Sequence, residues 1–480
     1  MNHYQLYING KYRAATSGKV VENLNPFDNS VVATVEQANV EDALAAIEAA
    51  DTAFKTWKDA APSLREQILI KAADVMAARA DELKDMLIDE AGSSVLKATY
   101  EVTHAAGFLR GMAGECRRVK GDTFVSDYPG VKSYCIRRPL GVVFAVSPFN
   151  FPLLLSVRKI GWALAAGNSV VLKPSEETPV IALKLAEILT EAGLPAGVLN
   201  VLPAHAADLK DTMISDPRVK KLTFTGSTKV GRSIAEKCAR FGKPVTLEMG
   251  GKNPMVVLND ADIDYAVNVA AFSNFMHQGQ VCMTASRVIV EAGVYDEFVN
   301  RLTAKVKTIK FGNPRDKGVI VGPLIRRTQI DFIQALVNDA VENGAQLKVG
   351  GEADKSVYQP TVLANVNRDM SIFATECFGP VASIVKADDY KHALELANSS
   401  QYGLTSSVLT RDLEKAMYFS EYLEAGMVHI NGPSIRDEAV IPFGGVKDSG
   451  YGREGGEFAM NEFTELKWIT IQTGQQKFPF

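Results

Sequence analysis

Cysteine and histidine are sparse in this sequence, and neither residue type is clustered. The six histidines are scattered without an HExxH motif, and no two cysteines form a CxxC pair. This arrangement argues against a disulfide framework and against a structural zinc site, so we expect no bound metal. The five cysteines are Cys116, Cys135, Cys238, Cys282 and Cys377.

Long apolar runs and an excess of basic charge are also missing. The longest apolar stretch, "PLLLSVRKIGWALAAG", is interrupted by Arg158 and Lys159 and falls short of the ~20 residues of a membrane span. The opening "MNHYQLYING" shows no basic segment followed by an apolar one, so we expect no signal peptide. The net charge of −4 provides no basic surface for nucleic acid. We therefore expect a cytoplasmic protein that binds neither membranes nor nucleic acid.

The residues that are present favour an α/β fold. The 480 residues, of which 46% are hydrophobic, suffice for about three domains, or two large ones. A helical spacing of apolar residues runs from Asn39, a predicted cap, to Trp57, and Gly92 is predicted to end a later helix. From Leu140 onward, short β-branched runs such as "GVVFAVSP" and "VKKLTFTGS" alternate with helical stretches, and the second half repeats this pattern. Such alternation is typical of βαβ units and parallel sheets.

Two segments differ from this pattern. "TFVSDYPGVKSYCIRRPLG", from Thr123 to Gly141, alternates apolar and polar residues around Pro129-Gly130 and predicts a β-hairpin. The tail contains a second β-rich stretch, "FTELKWITIQ". Strands outside the main domains often serve assembly, and an ordinary edge hairpin is the alternative.

Two strand ends are candidate cofactor elements. In "KKLTFTGSTKVG", a strand passes through Gly226-Ser227 into a helix, whose free N–H groups and positive dipole end favour phosphate. The spacing from Gly226 to Gly231 is neither the GxGxxG fingerprint nor a P-loop, so a plain βα turn is the alternative. In "VVLKPSEETP", Lys173 and Glu176 follow a strand, where open parallel sheets bind ligands. A carboxylate there accepts ribose hydroxyls and repels a 2′-phosphate, which favours NAD over NADP; helix capping by Ser175 and Glu176 is the alternative.

Three residues are candidates for catalysis on chemical grounds. Glu248 ends a β-run directly before two glycines, where a general base can meet a ligand. Asn150 lies between two phenylalanines after a strand, where its amide suits an oxyanion better than a core. Cys282, in "FMHQGQVCMTASR", is predicted to lie in a loop between a helix that stops at Gly279 and the strand "SRVIVE". From these residues alone, a role other than catalysis, such as core filling, is favoured for Cys282, because no adjacent residue lowers its pKa.

Taken in order, seven motifs resemble those of the aldehyde dehydrogenase superfamily. The resemblance covers essentially the whole chain. The motifs are "SPFNFP", "KPSE", "FTGSTKVG", "LEMGGKNP", "GQVC", "ECFGP" and "PFGGVKDSGYGRE".

The resemblance implies a mechanism of aldehyde oxidation. Cys282 would attack the aldehyde and give a thiohemiacetal, which Asn150 and the Cys282 N–H would stabilise as an oxyanion. Hydride transfer to NAD⁺ would leave a thioester, which water activated by Glu248 would hydrolyse. Lys252 and Glu457 match positions that shape the site or relay protons, and Lys173 joins the catalytic candidates.

The resemblance also implies which residues bind the cofactor. Lys173 and Glu176 would meet the adenosine ribose, Ser227 the pyrophosphate, and Glu376 the nicotinamide ribose, with Phe378 near the ring. NADP is the less favoured cofactor because of Glu176. The full set of expected cofactor-binding residues is Ser147, Pro148, Phe149, Lys173, Ser175, Glu176, Gly226, Ser227, Gly250, Glu376 and Phe378.

The segment "HINGPSIRDEAVIPFGGVKDSGYGR" is most similar to the aromatic-aldehyde branch, with its benzaldehyde, vanillin and salicylaldehyde dehydrogenases. Arg158 would face a ring hydroxyl, or form a helix-surface salt bridge. A small dicarboxylic semialdehyde, held by Arg158 or Arg436, and broad aliphatic specificity are alternatives. CoA-acylating dehydrogenases and acyltransferases also use a cysteine, but Glu248 and the NAD elements argue against them. The expected substrate funnel consists of Phe151, Leu155, Arg158, Val281, Met283, Ile435 and Phe443.

The resemblance implies a Rossmann-like NAD-binding domain, a second α/β catalytic domain and a small β oligomerisation extension. We expect the NAD-binding domain at residues 1–120 and 141–250, and the catalytic domain at 251–450. The extension, at 121–140 and 460–480, would join the subunits of a homodimer or homotetramer.

Overall fold

The first helices begin and end at the residues that the sequence predicts. In the computed structural model, which describes residues 2–480, the Asn39 side chain accepts hydrogen bonds from the N–H groups of Glu41 and Asp42. The Asp42 carboxylate accepts one in return from the Asn39 N–H, at 3.2 Å, which completes a capping box. Gly92 ends its helix in the left-handed conformation with φ of +61°. Both predicted caps are confirmed.

Sixteen helices occur within residues 2–480. They are α1 (Val40–Trp57), α2 (Pro62–Ala78), α3 (Ala80–Ala91), α4 (Val95–Glu115), α5 (Pro152–Ala166), α6 (Pro179–Glu191), α7 (Ala206–Leu209), α8 (Thr212–Ser215), α9 (Thr228–Arg240), α10 (Ile263–Phe275), α11 (Tyr295–Val306), α12 (Arg327–Glu342), α13 (Ser371–Ala374), α14 (Tyr390–Asn398), α15 (Leu413–Tyr422) and α16 (Gly456–Glu462).

The strands of the first half of the chain are β1 (Asn2–Tyr4), β2 (Leu6–Ile8), β3 (Lys11–Arg13), β4 (Val20–Leu24), β5 (Val31–Glu36), β6 (Thr123–Phe124), β7 (Val131–Pro139), β8 (Val142–Val146), β9 (Ser169–Lys173), β10 (Leu199–Val201), β11 (Val219–Thr225) and β12 (Val245–Glu248). Those of the second half are β13 (Pro254–Val257), β14 (Arg287–Glu291), β15 (Lys310–Phe311), β16 (Val319–Val321), β17 (Gln346–Val349), β18 (Ala353–Asp354), β19 (Val357–Tyr358), β20 (Thr361–Ala364), β21 (Val381–Ala387), β22 (Tyr402–Gly403), β23 (Thr405–Leu409), β24 (Met427–Ile430), β25 (Val446–Lys447), β26 (Gly450–Tyr451) and β27 (Thr464–Gln472).

The first large sheet has eight strands in the order β26-β12-β11-β8-β9-β10-β2-β3. The central strands β12, β11, β8, β9 and β10 are parallel, while β26 and β2 pair with them in the antiparallel sense. Parallel strands end at the same edge of a sheet. In the register of this sheet, Val146 is opposite Lys173, and Thr225 is opposite Glu248. The expected cofactor motifs therefore follow neighbouring strand ends along one edge.

The second large sheet has seven strands in the order β17-β20-β21-β14-β13-β23-β24. All of its pairs are parallel except β17 with β20. Only residues 249–253 lie between β12 of the first sheet and β13 of the second. The carboxyl end of the first sheet therefore adjoins the amino end of the second. The α/β class predicted from the sequence is confirmed.

The third sheet is small and antiparallel, in the order β27-β7-β6. Strand β27 pairs with β7 along its whole length, from Thr464 opposite Pro139 to Gln472 opposite Val131. Strands β6 and β7 form the predicted hairpin around Pro129-Gly130. Trp468, on β27, is 71% exposed. This sheet thus presents apolar side chains to solvent.

The four apolar cores lie on the faces of the two large sheets. The largest one packs α2, α4, α5 and α6 onto β8 and β9, and it extends to Met283 and Phe443 in the second half of the chain. No helix within residues 2–480 has both the length and the apolar character needed to cross a membrane.

Candidate active site

Cys282 lies in a loop at the junction of the two large sheets. The predicted helix end at Gly279 is wrong: α10 ends at Phe275, and a 3₁₀ turn covers Met276–Gly279. The reason is backbone conformation, because His277 and Gln278 have φ of +48° and +56°. Gly279 also has positive φ, and a Cβ there would lie 2.1 Å from the carbonyl oxygen of Gly379. The chain therefore turns sharply before it reaches the cysteine.

Asn253 holds the loop of Cys282 in place. Its Nδ2 donates to the carbonyl oxygens of Cys282 and Thr284, at 2.7 and 2.9 Å. Its Oδ1 accepts from the Thr405 N–H at 3.2 Å. One buried side chain thus ties the loop to β23. Sequence reasoning missed this residue, although it lies in the "LEMGGKNP" motif.

Cys282 is half-buried, whereas the other four cysteines are buried, as expected for a loop position. Burial raises the pKa of its thiol to about 12, with further contributions from the charges of Glu248 and Glu376. Arg158 opposes this shift. The site without ligands therefore keeps Cys282 as a thiol, and no neighbour activates it by lowering its pKa below the ordinary value.

Glu248 is the second candidate catalytic residue of the site, and it is 4% exposed. Neither carboxylate oxygen accepts a hydrogen bond from any group in residues 2–480. Burial and the nearby Glu454 raise the pKa of Glu248 well above its usual value, while Lys159 and Arg158 oppose the shift. A Cβ at Gly444 would lie 2.8 Å from its Oε1, so a glycine is needed beside the carboxylate. An unpartnered carboxyl with a raised pKa suits a base that works near neutral pH.

A fully buried ion pair, Lys159 with Glu454, lies behind Glu248. Glu454 also accepts a hydrogen bond from the Thr223 hydroxyl at 3.1 Å. Sequence reasoning missed this pair and instead selected Glu457 from the same "GREGGE" stretch. The structure contradicts that choice, since Glu457 is on the surface, 3.8 Å from Lys120. Helix α16 begins at Gly456, so Glu457 occupies its exposed face while Glu454 points inward.

Lys252 is buried as expected, and its amino group has no hydrogen-bond partner within residues 2–480. Burial lowers the pKa of Lys252 to about 8. The nearby Cys377 has a pKa raised by burial to about 11. Lys252 therefore lies beside the Glu376 motif and not in the group formed by Glu248 and Glu454.

The Asn150 side chain contacts the cysteine loop. Its Nδ2 donates to the Gln280 carbonyl oxygen at 2.9 Å, two residues before Cys282. A carboxamide nitrogen carries two hydrogens, so one remains for a ligand. Asn150 is 4% exposed, and the residue between it and α5 is Phe151. The amide is thus fixed beside Cys282, where an oxyanion would form.

Lys173 and Glu176 lie together on the cofactor edge of the first sheet, with Nζ and Oε1 3.6 Å apart. Burial lowers the pKa of Lys173. The Ser175 hydroxyl accepts from the Glu177 N–H at 3.3 Å and so stabilises the turn. Sequence reasoning missed the histidine beside them: His205 Nδ1 is 2.7 Å from Glu176 Oε2.

Strand β11 ends at the turn that leads into α9. Ser227 caps this helix, and its hydroxyl accepts from the Val230 N–H at 3.5 Å. The Gly226 N–H donates to the Glu248 carbonyl oxygen at 3.1 Å, which joins the turn to β12. The exposed helix N-terminus, with Lys173 and Glu176 two strands away, fits the phosphates and ribose of a dinucleotide.

The remaining cofactor candidates lie near the second sheet or at the end of β8. Glu376 Oε1 accepts from the Gly251 N–H at 3.0 Å, and burial raises its pKa to about 7. A Cβ at Gly250 would lie 2.1 Å from Glu376 Oε2, so only glycine permits this approach. The Phe149 and Phe378 rings meet edge to face at 5.9 Å. Ser147, followed by Pro148, shares a 2.8 Å hydrogen bond with Ser156.

The expected funnel residues belong to one apolar cluster, against which Cys282 packs. Its buried members from the sequence prediction are Phe151, Val281, Met283, Ile435 and Phe443, with Leu155 partly buried beside them.

Arg158 does not occupy the helix surface that one of its two expected roles required, and its contact with a ring hydroxyl stays a prediction. It is buried, and its Nη2 donates to the two Asp437 carboxylate oxygens at 2.6 and 2.5 Å. Its guanidinium lies 4.0 Å from the centre of the Phe443 ring and 5.0 Å from that of Phe108. The salt bridge is therefore inside the protein, not on a helix surface. Arg436, in contrast, is exposed and lies 3.3 Å from Glu438.

The raised pKa of Cys282 predicts how the unliganded protein reacts with iodoacetamide. Thiolate is the reactive form, so the labelling rate of Cys282 should keep rising from about pH 7 to about pH 10. Peptide mass spectrometry measures that rate, and Cys282→Ala identifies the labelled site. A rate that levels off by about pH 8.5, the value of an ordinary thiol, would contradict the burial argument.

Comparison with known proteins agrees with this geometry. Residues 12–469 match the aldehyde dehydrogenase family. A vanillin dehydrogenase of Pseudomonas fluorescens is 42% identical over 480 residues, which cover 99% of each chain. The crystal structure of a salicylaldehyde dehydrogenase from Pseudomonas putida G7, complexed with salicylaldehyde, has a TM-score of 0.98, 38% identity and full coverage of both chains. An NADP-dependent enzyme of E. coli has a TM-score of 0.96, with 36% identity over 98% of each chain. The chain belongs to the aldehyde dehydrogenase family.

Proposed function

We propose that this protein oxidises aromatic aldehydes to carboxylic acids, with Cys282 as the nucleophile and Glu248 as the base. The observation that carries the chemistry is the pairing of a half-buried thiol with a buried carboxylate that no protein group in residues 2–480 hydrogen-bonds. The two groups lie close enough for the charge of Glu248 to raise the pKa of Cys282.

The first step forms a carbon–sulfur bond. As Cys282 Sγ attacks the aldehyde carbon, the thiol proton passes to the Glu248 carboxylate, whose raised pKa makes it a stronger base than an ordinary glutamate. The carbonyl oxygen becomes an oxyanion, which the free amide hydrogen of Asn150 and the Cys282 N–H stabilise. When bound, a nicotinamide dinucleotide supplies the hydride acceptor.

Oxidation leaves a thioester on Cys282, which water must cleave. Glu248 first releases to solvent the proton that it took from Cys282 and then removes a proton from that water. The hydroxide adds to the carbonyl carbon of the thioester, the carbon–sulfur bond breaks, and the acid is released as the Cys282 thiolate regains a proton from Glu248. Lys159 and Glu454 hold charges behind Glu248 and influence its proton affinity. These steps use only groups that the structure brings to the loop of Cys282.

The nature of the funnel supports an aromatic substrate. The expected lining is mostly apolar, and the Arg158 guanidinium lies 4.0 Å from the centre of the Phe443 ring. The positive charge of Arg158 is balanced by Asp437, which weakens its attraction for the carboxylate of a semialdehyde. Arg436 is exposed and paired elsewhere. Similarity to vanillin and salicylaldehyde dehydrogenases supports the same choice.

NAD⁺ is the preferred cofactor in this proposal, because Glu176 would accept the ribose hydroxyls and repel a 2′-phosphate. We assign residues 1–120 and 141–250 to cofactor binding and residues 251–450 to catalysis, with the active site between them.

The proposed roles of Cys282 and Glu248 predict different kinetic defects. Cys282→Ala should abolish NADH formation from benzaldehyde, whereas Glu248→Gln should lower kcat by about 10²–10⁴-fold. Glu457→Gln is the matched control, because it makes the same chemical change at an exposed glutamate on the surface, and its kcat should stay unchanged. Absorbance at 340 nm measures NADH. Wild-type turnover by Cys282→Ala, or a requirement for CoA in product formation, would contradict the mechanism.

The aromatic proposal predicts a substrate preference. The kcat/KM for benzaldehyde should exceed that for succinic semialdehyde by at least about tenfold, because no unpaired cation lines the funnel. Phe443→Leu should lower this ratio, since it removes the ring beneath Arg158, while Phe458→Leu, at an exposed phenylalanine, should leave it unchanged. Steady-state kinetics provide both ratios, and a higher value for succinic semialdehyde would overturn the aromatic assignment.

We also propose that the sheet β27-β7-β6 joins subunits of a homodimer or homotetramer. Exposed apolar side chains on it, including Trp468 at 71% and Leu466 at 57%, support this role. Trp468→Glu should therefore reduce the molar mass measured by light scattering, because it buries a charge in the interface. Leu413→Glu, at a residue 73% exposed on α15, is the control. An unchanged mass for Trp468→Glu would contradict this role of the sheet.

A further inference from the structure

His205 contacts the carboxylate of Glu176, which faces the proposed ribose site. Glu176 follows β9 and His205 follows β10, and these two strands are parallel neighbours. Their ends therefore bring the two side chains together, with His205 Nδ1 2.7 Å from Glu176 Oε2. Lys173 approaches the other oxygen of the same carboxylate, at 3.6 Å.

The charges around Glu176 are nearly balanced. Lys173 offsets the carboxylate, so a protonated His205 would leave the group with one net positive charge. The other charged neighbour of His205 is Asp208 on α7, which is paired with Lys19 at 2.9 Å. Glu177, the residue after Glu176, is paired with Arg326. His205 is therefore the neighbour whose contact with Glu176 can offset the remaining repulsion of an anion at this edge.

The charge around Glu176 matters because NAD⁺ and NADP⁺ differ only at the adenosine ribose. A carboxylate accepts a hydrogen bond from the 2′-hydroxyl of NAD⁺ but repels the 2′-phosphate of NADP⁺, which a cationic side chain accommodates. We propose that His205 is a specificity-determining residue that, by pairing with Glu176, allows the protein to accept NADP⁺ as well as NAD⁺. This inference rests on the proposed function in one respect, the contact of Glu176 with the adenosine ribose.

The contact with His205 lowers the repulsion of a 2′-phosphate by Glu176. His205 Nδ1 occupies one carboxylate oxygen of Glu176, at 2.7 Å, so less of the negative charge of that carboxylate acts on the ribose. The 2′-phosphate of NADP⁺ is therefore repelled less than it would be by Glu176 alone.

The test compares kcat/KM for NADP⁺ and for NAD⁺ with one aldehyde at one pH. Relative to wild type, His205→Ala should lower the NADP⁺-to-NAD⁺ ratio about threefold to tenfold. His205→Arg carries a permanent charge and should keep the ratio at least as high as that of wild type.

His392→Ala is the matched control, because His392 also pairs with a carboxylate, Asp388, at 3.0 Å on the surface. Its ratio should equal that of wild type. Equal ratios for wild type, His205→Ala and His205→Arg would overturn the inference.

A separate variant distinguishes failure of this inference from failure of the proposed function. Glu176→Gln removes the repelling charge and should raise the NADP⁺-to-NAD⁺ ratio. If Glu176→Gln raises the ratio while the His205 variants do not, His205 is not a determinant and the ribose contact stands. If neither position changes the ratio, the proposed place of Glu176 is wrong as well. Fluorescence titration of both dinucleotides without aldehyde gives the same comparison independently of catalysis.

Discussion

The site depends on the short connection between the two large sheets. Residues 249–253 lead from the end of β12 to the start of β13, so Glu248 and Asn253 are held on opposite sides of one narrow junction. Asn253 binds the carbonyl oxygens of Cys282 and Thr284, and the Gly251 N–H binds Glu376. Each of these hydrogen bonds joins a side chain to a backbone atom, so together they fix the path of three chain segments. Cys282, the proposed base Glu248 and the proposed cofactor residue Glu376 therefore share one frame of contacts.

Within this frame the acidic groups bind protons more tightly than usual. The pKa values of Cys282, Glu248 and Glu376 are all raised, each mainly by burial. In the buried Lys159–Glu454 pair, Glu454 adds to this effect at Glu248 and Lys159 opposes it, and neither hydrogen-bonds the Glu248 oxygens. Such a site combines a protected thiol with a carboxyl that binds a proton readily.

Much of this arrangement could be predicted from local sequence, and the exceptions have physical causes. The capping box at Asn39 and the alternation of strands and helices depend on neighbouring residues, so they were predicted correctly. The early end of α10 depends on positive φ at His277 and Gln278, which are not glycines and so give no local signal. The inward direction of Glu454 and the approach of His205 to Glu176 depend on packing between segments far apart in sequence. The sequence analysis selected Glu457, whereas Glu454 is the residue that points inward. A motif therefore predicts the position of a turn better than the direction of each side chain in it.

The return of the chain through β26 has a mechanical consequence. After completing the second sheet, the chain adds β26 antiparallel to β12, and α16 then packs on the helices of the first half. The two halves are thus connected by the residues at 249–253 and also by this returning segment. Two connections oppose a hinge motion that a single linker would permit. We therefore expect small molecules to enter and leave the site without separation of the two halves.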